Sequence, residues 1–310
     1  MSDLSVIIPA RNEMFLSNTV ENVLANIRAD TEIIVILDGA WPDPPLQDHP
    51  RVTVIHHTES IGQRAATNEG ARLSQAKYIM KLDAHCAVSE GFDVALMADC
   101  KPGWTMIPML YNLHAFDWKC SKCGDQTYQG SKPRVCSKCK GTEFEMVVIF
   151  QPRWNRLTVS WRFDKDMHFQ YWRKHKKRPE CQGDLIETMS CNGPCFFMER
   201  KWFWDHNGGI DEAHGSWGQF GTELACKAWL SGGKMVTTRK AWFAHLFRTG
   251  NFRRNGESTW PYPISHKQIE YAKQYSRDLW LNDKWPGAVR PLSWLVEHFA
   301  PVPSWHEGAK

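Results

Sequence analysis

Leu4-Ser5-Val6-Ile7-Ile8-Pro9-Ala10-Arg11-Asn12-Glu13 opens the chain as an apolar, β-branched run that stops at a proline and gives way to charged and amide side chains. A short apolar run of this kind suits a strand covered on both faces. Three similar runs follow, Ile33 to Leu37, Val52 to His56 and Tyr78 to Leu82. Between the first two, Val20, Val23, Leu24 and Ile27 recur at helical spacing, and Ala65, Ala66, Ala71 and Leu73 do so between the third and fourth. Strands alternating with amphipathic helices predict an α/β fold, a mostly parallel twisted sheet flanked by helices. Met106 to Leu110 extends it by a further strand.

The 310 residues are enough to bury a substantial core, and the net charge of +4 does not by itself require a nucleic-acid partner. No apolar run approaches the ~20 residues needed to cross a bilayer, and Met1-Ser2-Asp3-Leu4 lacks a signal-peptide pattern. A cytoplasmic protein without a membrane partner is expected. The expected organisation is a nucleotide-sugar-binding half at 1–115, an insertion at 116–145, an acceptor-binding half at 146–275, and a Trp- and Pro-rich tail at 276–310 wrapped over the body.

The insertion is marked by Cys120-Ser121-Lys122-Cys123 and Cys136-Ser137-Lys138-Cys139. Two Cys-x-x-Cys knuckles aim four thiolates at one point, as a structural zinc requires. The stretch has too few apolar residues for a core of its own, so Zn2+ bound by Cys120, Cys123, Cys136 and Cys139 would supply its folding free energy. The other six cysteines are scattered and read as buried thiols.

In open parallel sheets, ligands bind beyond the carboxyl ends of the strands. Those ends carry Pro9, Arg11 and Glu13 after the first strand, Asp38-Gly39 after the second, and Asp83-Ala84-His85 after the fourth. Asp83 and His85 stand two apart, so in extended geometry both leave one face and can grip one ion, manganese before magnesium. Taken alone, the pair fits a capped strand end with a surface histidine better.

Leu82-Asp83-Ala84-His85-Cys86 resembles the metal-binding stretch of the polypeptide N-acetylgalactosaminyltransferases, which are relatives of the family 2 glycosyltransferases with the A-type nucleotide-diphospho-sugar transferase fold. The likeness extends to the opening strand and loop through Glu13, to Ile34 through Gly39, to Gly62-Gln63-Arg64 through Asn68 and Ala71, and to Met189 through Pro194. It continues through Gly208 to Glu212, Trp217-Gly218, Glu223 to Trp229, and Ala244-His245-Leu246-Phe247-Arg248. The resemblance implies a UDP-sugar donor and one divalent ion, Mn2+ or Mg2+, on Asp83, His85 and His245. It assigns the donor to Pro9, Arg11, Glu13, Asp38, Gly62, Arg64, Asn68, Lys81, Asn192, Gly193 and Trp217, and catalysis to Glu223, Asp211 and Arg248.

The chain departs from that pattern where inverting family members carry a general base, because Gly221 stands there. Retention of configuration is therefore expected, with Glu223 or Asp211 as the base of an inverting alternative. The acceptor does not carry over from the resemblance. Lys119, Lys122, Lys132, Arg134, Lys138 and Lys140 on the ribbon, with the run Arg173 to Arg178, point to DNA carrying a hydroxymethyl pyrimidine. Trp161 and Trp172 are candidates to stack on the displaced base. The plain alternative is a clip kept soluble by its lysines and a solvated helix end, and a protein Ser or Thr hydroxyl or a glycan is the next acceptor. A non-catalytic nucleic-acid-binding scaffold is the reading from another class.

Overall fold

The first strand, β1 (Leu4–Ala10), is buried at every residue because it runs between two parallel neighbours, β2 (Thr31–Asp38) and β4 (Tyr78–Leu82). β3 (Val52–His57) closes that edge in parallel with β2. In the computed structural model, which describes residues 2–215, 217–247, 253–254, 257–258 and 265–306, this half of the sheet has the order β3-β2-β1-β4. Helix α1 (Leu16–Asn26) links β1 to β2, and α2 (Gln63–Leu73) links β3 to β4. α2 lies tight on β1 at Gly70, where a Cβ would fall 2.4 Å from Ile7 Cγ2.

Beyond β4 the sheet is mixed. β5 (Cys86–Val88) and α3 (Phe92–Asp99) lead into β6 (Trp104–Cys120), and β7 (Gln126–Tyr128) and β8 (Phe144–Thr158) both pair antiparallel with β6. A small ribbon follows, β9 (Trp161–Phe163) with β10 (Phe169–Tyr171), then β11 (Leu185–Glu187) and β12 (Cys195–Glu199). β12 inserts antiparallel between β4 and β6, while β13 (Lys234–His245) runs parallel to β6. The expected parallel arrangement thus holds for the first four strands and for β6 with β13, and antiparallel strands join it elsewhere.

The strand expected to end at Leu110 runs on to Cys120, because Tyr111 to Lys119 pair with β8 despite their polar members. The two knuckles are the tip of this long hairpin. The boundaries expected at 115/116 and 145/146 fall inside β6 and β8, so the insertion is an outgrowth of the main sheet. The tail is likewise integral. α6 (His266–Leu281) crosses the boundary expected at 275/276, and α7 (Leu292–His298) buries Leu292, Leu295 and Val296 in the main core with Trp280 and Trp229. The remaining helices of this half are α4 (Arg200–Asp205) and α5 (Phe220–Leu230).

Burial overturns one expectation about DNA contact and narrows another. Trp161 and Trp172 are both core residues, at 0% and 5% exposure, and neither can stack on a base. The run 173–178 is partly spent on the tail: Arg178 donates to the carbonyls of Phe299 (3.0 Å) and Pro301 (2.7 Å). His175 is buried against Trp172 and Phe299, with its Nδ1 2.6 Å from Ser160 Oγ. Burial, helped by the Arg178 charge, pushes its pKa down to about 4. In the unfolded chain a histidine titrates near ~6.5. Between these values the unfolded state binds the proton and the folded state does not, so stability falls as pH drops from ~6.5 towards 4. Urea melts at stepped pH should show this slope, and His175→Gln should flatten it.

Candidate functional site

Three segments distant in sequence converge at the carboxyl ends of β1 and β4, where the strand order 3-2-1-4 switches direction. β4 delivers Asp83, whose amide donates to Pro194 O at 2.8 Å. β5 follows at once and pairs with β13 through Cys86 and His245, and Leu246 N donates to His85 O at 3.1 Å. Sheet register therefore places His245 beside His85 although 160 residues separate them.

Asp83, His85 and His245 offer ligand atoms that all lie within 4.8 Å of one another. The two Nε2 atoms are 3.0 Å apart, and His245 Nε2 is 3.2 Å from Asp83 Oδ2. An octahedral ion with bonds of about 2.1 Å spaces adjacent ligands by about 3.0 Å, so these separations suit one divalent cation. The protonation states suit it too. Burial holds His245 down at about 4 against the pull of Asp83, which leaves a neutral imidazole with a free lone pair. Burial opposes the charge of Asp83, but Lys81 and the two histidines outweigh it and hold the carboxyl well below the usual range. His245 Nδ1 is buried without a protein partner among the described residues.

The residues around this triad mostly orient it. Lys81 is fully buried; its ammonium grips Asp83 Oδ1 and donates to Gly193 O at 3.1 Å, so it has no face left for a ligand, contrary to expectation. Gln63, which lies in the matching stretch but is assigned no role by the resemblance, adds a donor to the same oxygen at 3.0 Å, leaving Oδ2 turned towards His245. Glu13 also differs from its expected place: its carboxylate lies 3.3 Å from His85 Nδ1, off the line of a hydrogen bond. Carboxylates behind metal-facing histidines raise their basicity.

Three more expected donor contacts are used by the chain itself. Asp38 accepts from the amides of Ile61 (2.5 Å) and Gly62 (3.2 Å) and from Ser60 Oγ (2.8 Å), shaping the turn into α2. Arg64 is 2% exposed and donates to Glu223 Oε2 (3.1 Å), Gly215 O (3.1 Å) and Gly218 O (2.7 Å). It clamps the loop that carries half-buried Trp217. Asn68 is bonded to both Ile210 N and Ile210 O. Pro9 and Arg11 stay at the mouth of β1, Pro9 buried and Arg11 half-buried. Asn192 differs from all of these, since its Oδ1 and Nδ2 are both shut from water without a partner among the described residues. Arg248 lies outside the described residues.

The two candidate bases are committed elsewhere. Glu223 is fully buried and holds Lys227 Nζ (2.9 Å), Arg64 and the amide of Asp211 (2.6 Å). Burial resists its charge, but Lys227, Arg64 and His214 more than compensate and keep its pKa below normal. Asp211 accepts from Tyr275 Oη (2.9 Å) and from the amide of Ala213 (3.0 Å), with His214 Nδ1 at 3.4 Å. The His214 contact leads in holding it well below the carboxylate range. Neither is poised to take a proton near neutrality. At Gly221, a Cβ would lie 2.0 Å from Cys191 O, so no side chain fits there without moving the loop.

At the hairpin tip, Cys120 and Cys139 Sγ are 3.6 Å apart and Cys123 and Cys136 Sγ 3.7 Å. A tetrahedral zinc with bonds of about 2.3 Å has sulfur edges of about 3.8 Å, whereas a disulfide needs about 2.05 Å. Amides of Cys139 and Lys138 lower the Cys136 thiol to about 7. The four thiols thus fit one tetrahedral metal.

Comparison with known proteins bears on the fold. Residues 5–99 match the family model of glycosyl transferase family 2. The chain is 24% identical over 265 residues to putative polypeptide N-acetylgalactosaminyltransferase 13 of Drosophila melanogaster, covering 80% of this chain and 42% of that protein. It is 26% identical over 257 residues to polypeptide N-acetylgalactosaminyltransferase 6 of Bos taurus, covering 79% and 37%. It therefore spans less than half the length of these curated relatives. A crystal structure of GalNAc-T7 with UDP, GalNAc and Mn2+ superposes with a TM-score of 0.62 at 19% identity, covering 90% of this chain and 49% of that one. The fold is thus the A-type glycosyltransferase fold expected from the sequence, and the likeness to the polypeptide N-acetylgalactosaminyltransferase catalytic domain spans most of the chain.

The buried network yields a prediction. Glu223→Ala leaves Arg64 and Lys227 buried without their partner and should cost about 3–5 kcal/mol in urea denaturation. Glu223→Gln should lose part of that and retain more activity than any variant of the metal triad. A triad-like loss of turnover in a stably folded Glu223→Gln would mark Glu223 as chemical after all.

Proposed function

We propose that this chain transfers a sugar from a UDP-sugar to a hydroxyl acceptor with a divalent cation, manganese before magnesium, held by Asp83, His85 and His245. The convergence of these three ligands at the carboxyl ends of β4 and β13 carries the reading. The cation would act as a Lewis acid on the departing diphosphate. The chain's own contribution is to fix one Asp83 oxygen through Lys81 and Gln63, to keep both imidazoles facing inward, and to offer Asn192 and the Gly193 backbone beside the donor sugar. With Gly221 closed to any side chain, and Glu223 and Asp211 committed, same-face transfer with retention is the stereochemical reading.

For the acceptor we favour a hydroxymethylated pyrimidine in DNA, supported by the exposed Lys122, Lys132, Arg134, Lys138 and Lys140 around the four-cysteine tip. The loss of Trp161 and Trp172 as stacking residues removes one of its supports. The names of the curated relatives favour a polypeptide hydroxyl instead. The tip cysteines are proposed to hold one structural zinc. Among the described residues, no helix is long and apolar enough to cross a membrane.

Purified protein should release UDP from its donor only with manganese or magnesium present, and His245→Ala should lower that rate at least ~100-fold. Divalent-independent release, or full activity of His245→Ala, overturns the metal role. Offering hydroxymethylated DNA and Ser/Thr peptides side by side decides the acceptor. Native mass spectrometry should find one zinc per chain. In Cys123→Ser it should be lost, with faster amide exchange at 120–141 while β1 and β4 stay protected.

A further inference from the structure

The hairpin that carries the tip is continuous with the metal site. His245 on β13 pairs in register with Asn112 on β6, and Asn112 pairs with Arg153 on β8. Directly paired residues share a face, so Asn112 and Arg153 lie on the His245 side of the sheet. Two inter-strand steps put the Arg153 backbone about 10 Å from that of His245. His114, two residues beyond Asn112, lies on the same side. Its ring is 4.8 Å from that of Tyr128, and the Arg153 guanidinium covers Tyr128 at 4.6 Å and donates to its hydroxyl at 3.1 Å.

Arg153 is thus held flat by one tyrosine through both the ring and the hydroxyl, on a half-exposed ledge beside the metal ligands. Structural packing alone does not ask for an arginine there, since Tyr128 is itself 40% exposed and the pair encloses no core. A planar, pre-oriented guanidinium offers its remaining donors to a phosphate and its open face to a base. Further out, residues 119–145 carry six cationic side chains against the three carboxylates of Asp125, Glu143 and Glu145, with Lys119 paired to Glu145 at 3.1 Å. With the double negative charge of a four-thiolate zinc a single net positive charge remains, and Lys122, Lys132, Arg134, Lys138 and Lys140 are the cations exposed around the tip.

We propose that Asn112, His114, Tyr128 and Arg153 form the acceptor ledge of this enzyme, with Arg153 positioning the sugar-phosphate backbone of a nucleic-acid strand whose hydroxyl reaches the metal site. This rests on the DNA-acceptor reading. A polyanionic strand fits better than a peptide because evenly charged phosphates match cations strung along one arm, with no demand on sequence.

The test uses the full chain and hydroxymethylated single-stranded DNA, reading KM, kcat and the salt dependence of binding by fluorescence anisotropy. Arg153→Ala should raise the acceptor KM about ten-fold and lower the slope of log affinity against log salt by about 0.7. Arg153→Lys should restore the slope but only part of the KM, since it keeps the charge and loses the plane. Lys201→Ala on α4, a surface lysine away from the arm, should leave the slope unchanged. Should the wild type modify this DNA while neither Arg153 variant moves KM or slope, the ledge is wrong and the acceptor reading stands. Should the wild type modify Ser/Thr peptides and neither bind nor modify the DNA, both fall.

Discussion

A lysine ammonium with no access to water sits two residues before the carboxylate that faces the metal position. A charge so placed is tolerable only if it is paired and its protons are satisfied. Lys81 meets that condition with Asp83 on one side and the Gly193 carbonyl on the other, so the end of β4 and the loop at Gly193 are fastened to one cation. The amide of Asp83 on Pro194 O repeats the tie through the backbone. Neutralising Asp83 therefore does more than remove a ligand, because it also strands the lysine. The site and the core share this residue.

A second buried network does for the other wall what Lys81 does for the metal strand. Arg64 leaves α2, reaches Glu223 on α5, and takes the carbonyls of Gly215 and Gly218. Lys227 holds the opposite oxygen of Glu223 and the carbonyl of Gly209. Asn68 completes the frame on Ile210. Loop 208–218 has almost no regular structure, so these side chains are what define its path. The polar residues that look like donor contacts in the sequence are largely its scaffold.

This explains which parts of the sequence could be read. The first four strands and the two helices between them were legible because their apolar runs and stripes are uninterrupted. Asp83 and His85 were legible as a candidate ion-gripping pair from their spacing after an apolar strand, whereas His245 was reached only through resemblance, since nothing in Ala244-His245-Leu246 by itself distinguishes a ligand from a core histidine. Arg64, Asn68, Lys81 and Asp38 were misplaced for one physical reason. A polar side chain near the carboxyl edge of the sheet, whether on a strand or on the adjoining helix, serves a ligand or a neighbouring group equally well, and only burial and partners separate the two. Tyr275 gave no signal and Gln63 none of its role, as each acts on a residue far away in the chain. The two buried tryptophans misled because an Arg-Trp pair has the same composition inside a core as on a nucleic-acid surface.

The hairpin arm changes what the four-cysteine tip can do. Had it hung on a flexible insertion, its cations would raise local acceptor concentration without fixing geometry. Instead β6 passes unbroken from the main sheet, where it pairs with β13 and β12, out to Cys120 at the tip. Anything bound along the arm is then held at a set distance and angle from His245, because the same hydrogen-bond ladder carries both. The second small core at the base of the arm, with Phe15, Tyr111, Leu113 and Leu246, stiffens that junction. A retaining transfer needs the acceptor hydroxyl on the face the diphosphate leaves, and therefore close to the cation. The proposed acceptor ledge, rooted in the strand next to the one bearing His245, would meet that demand by construction.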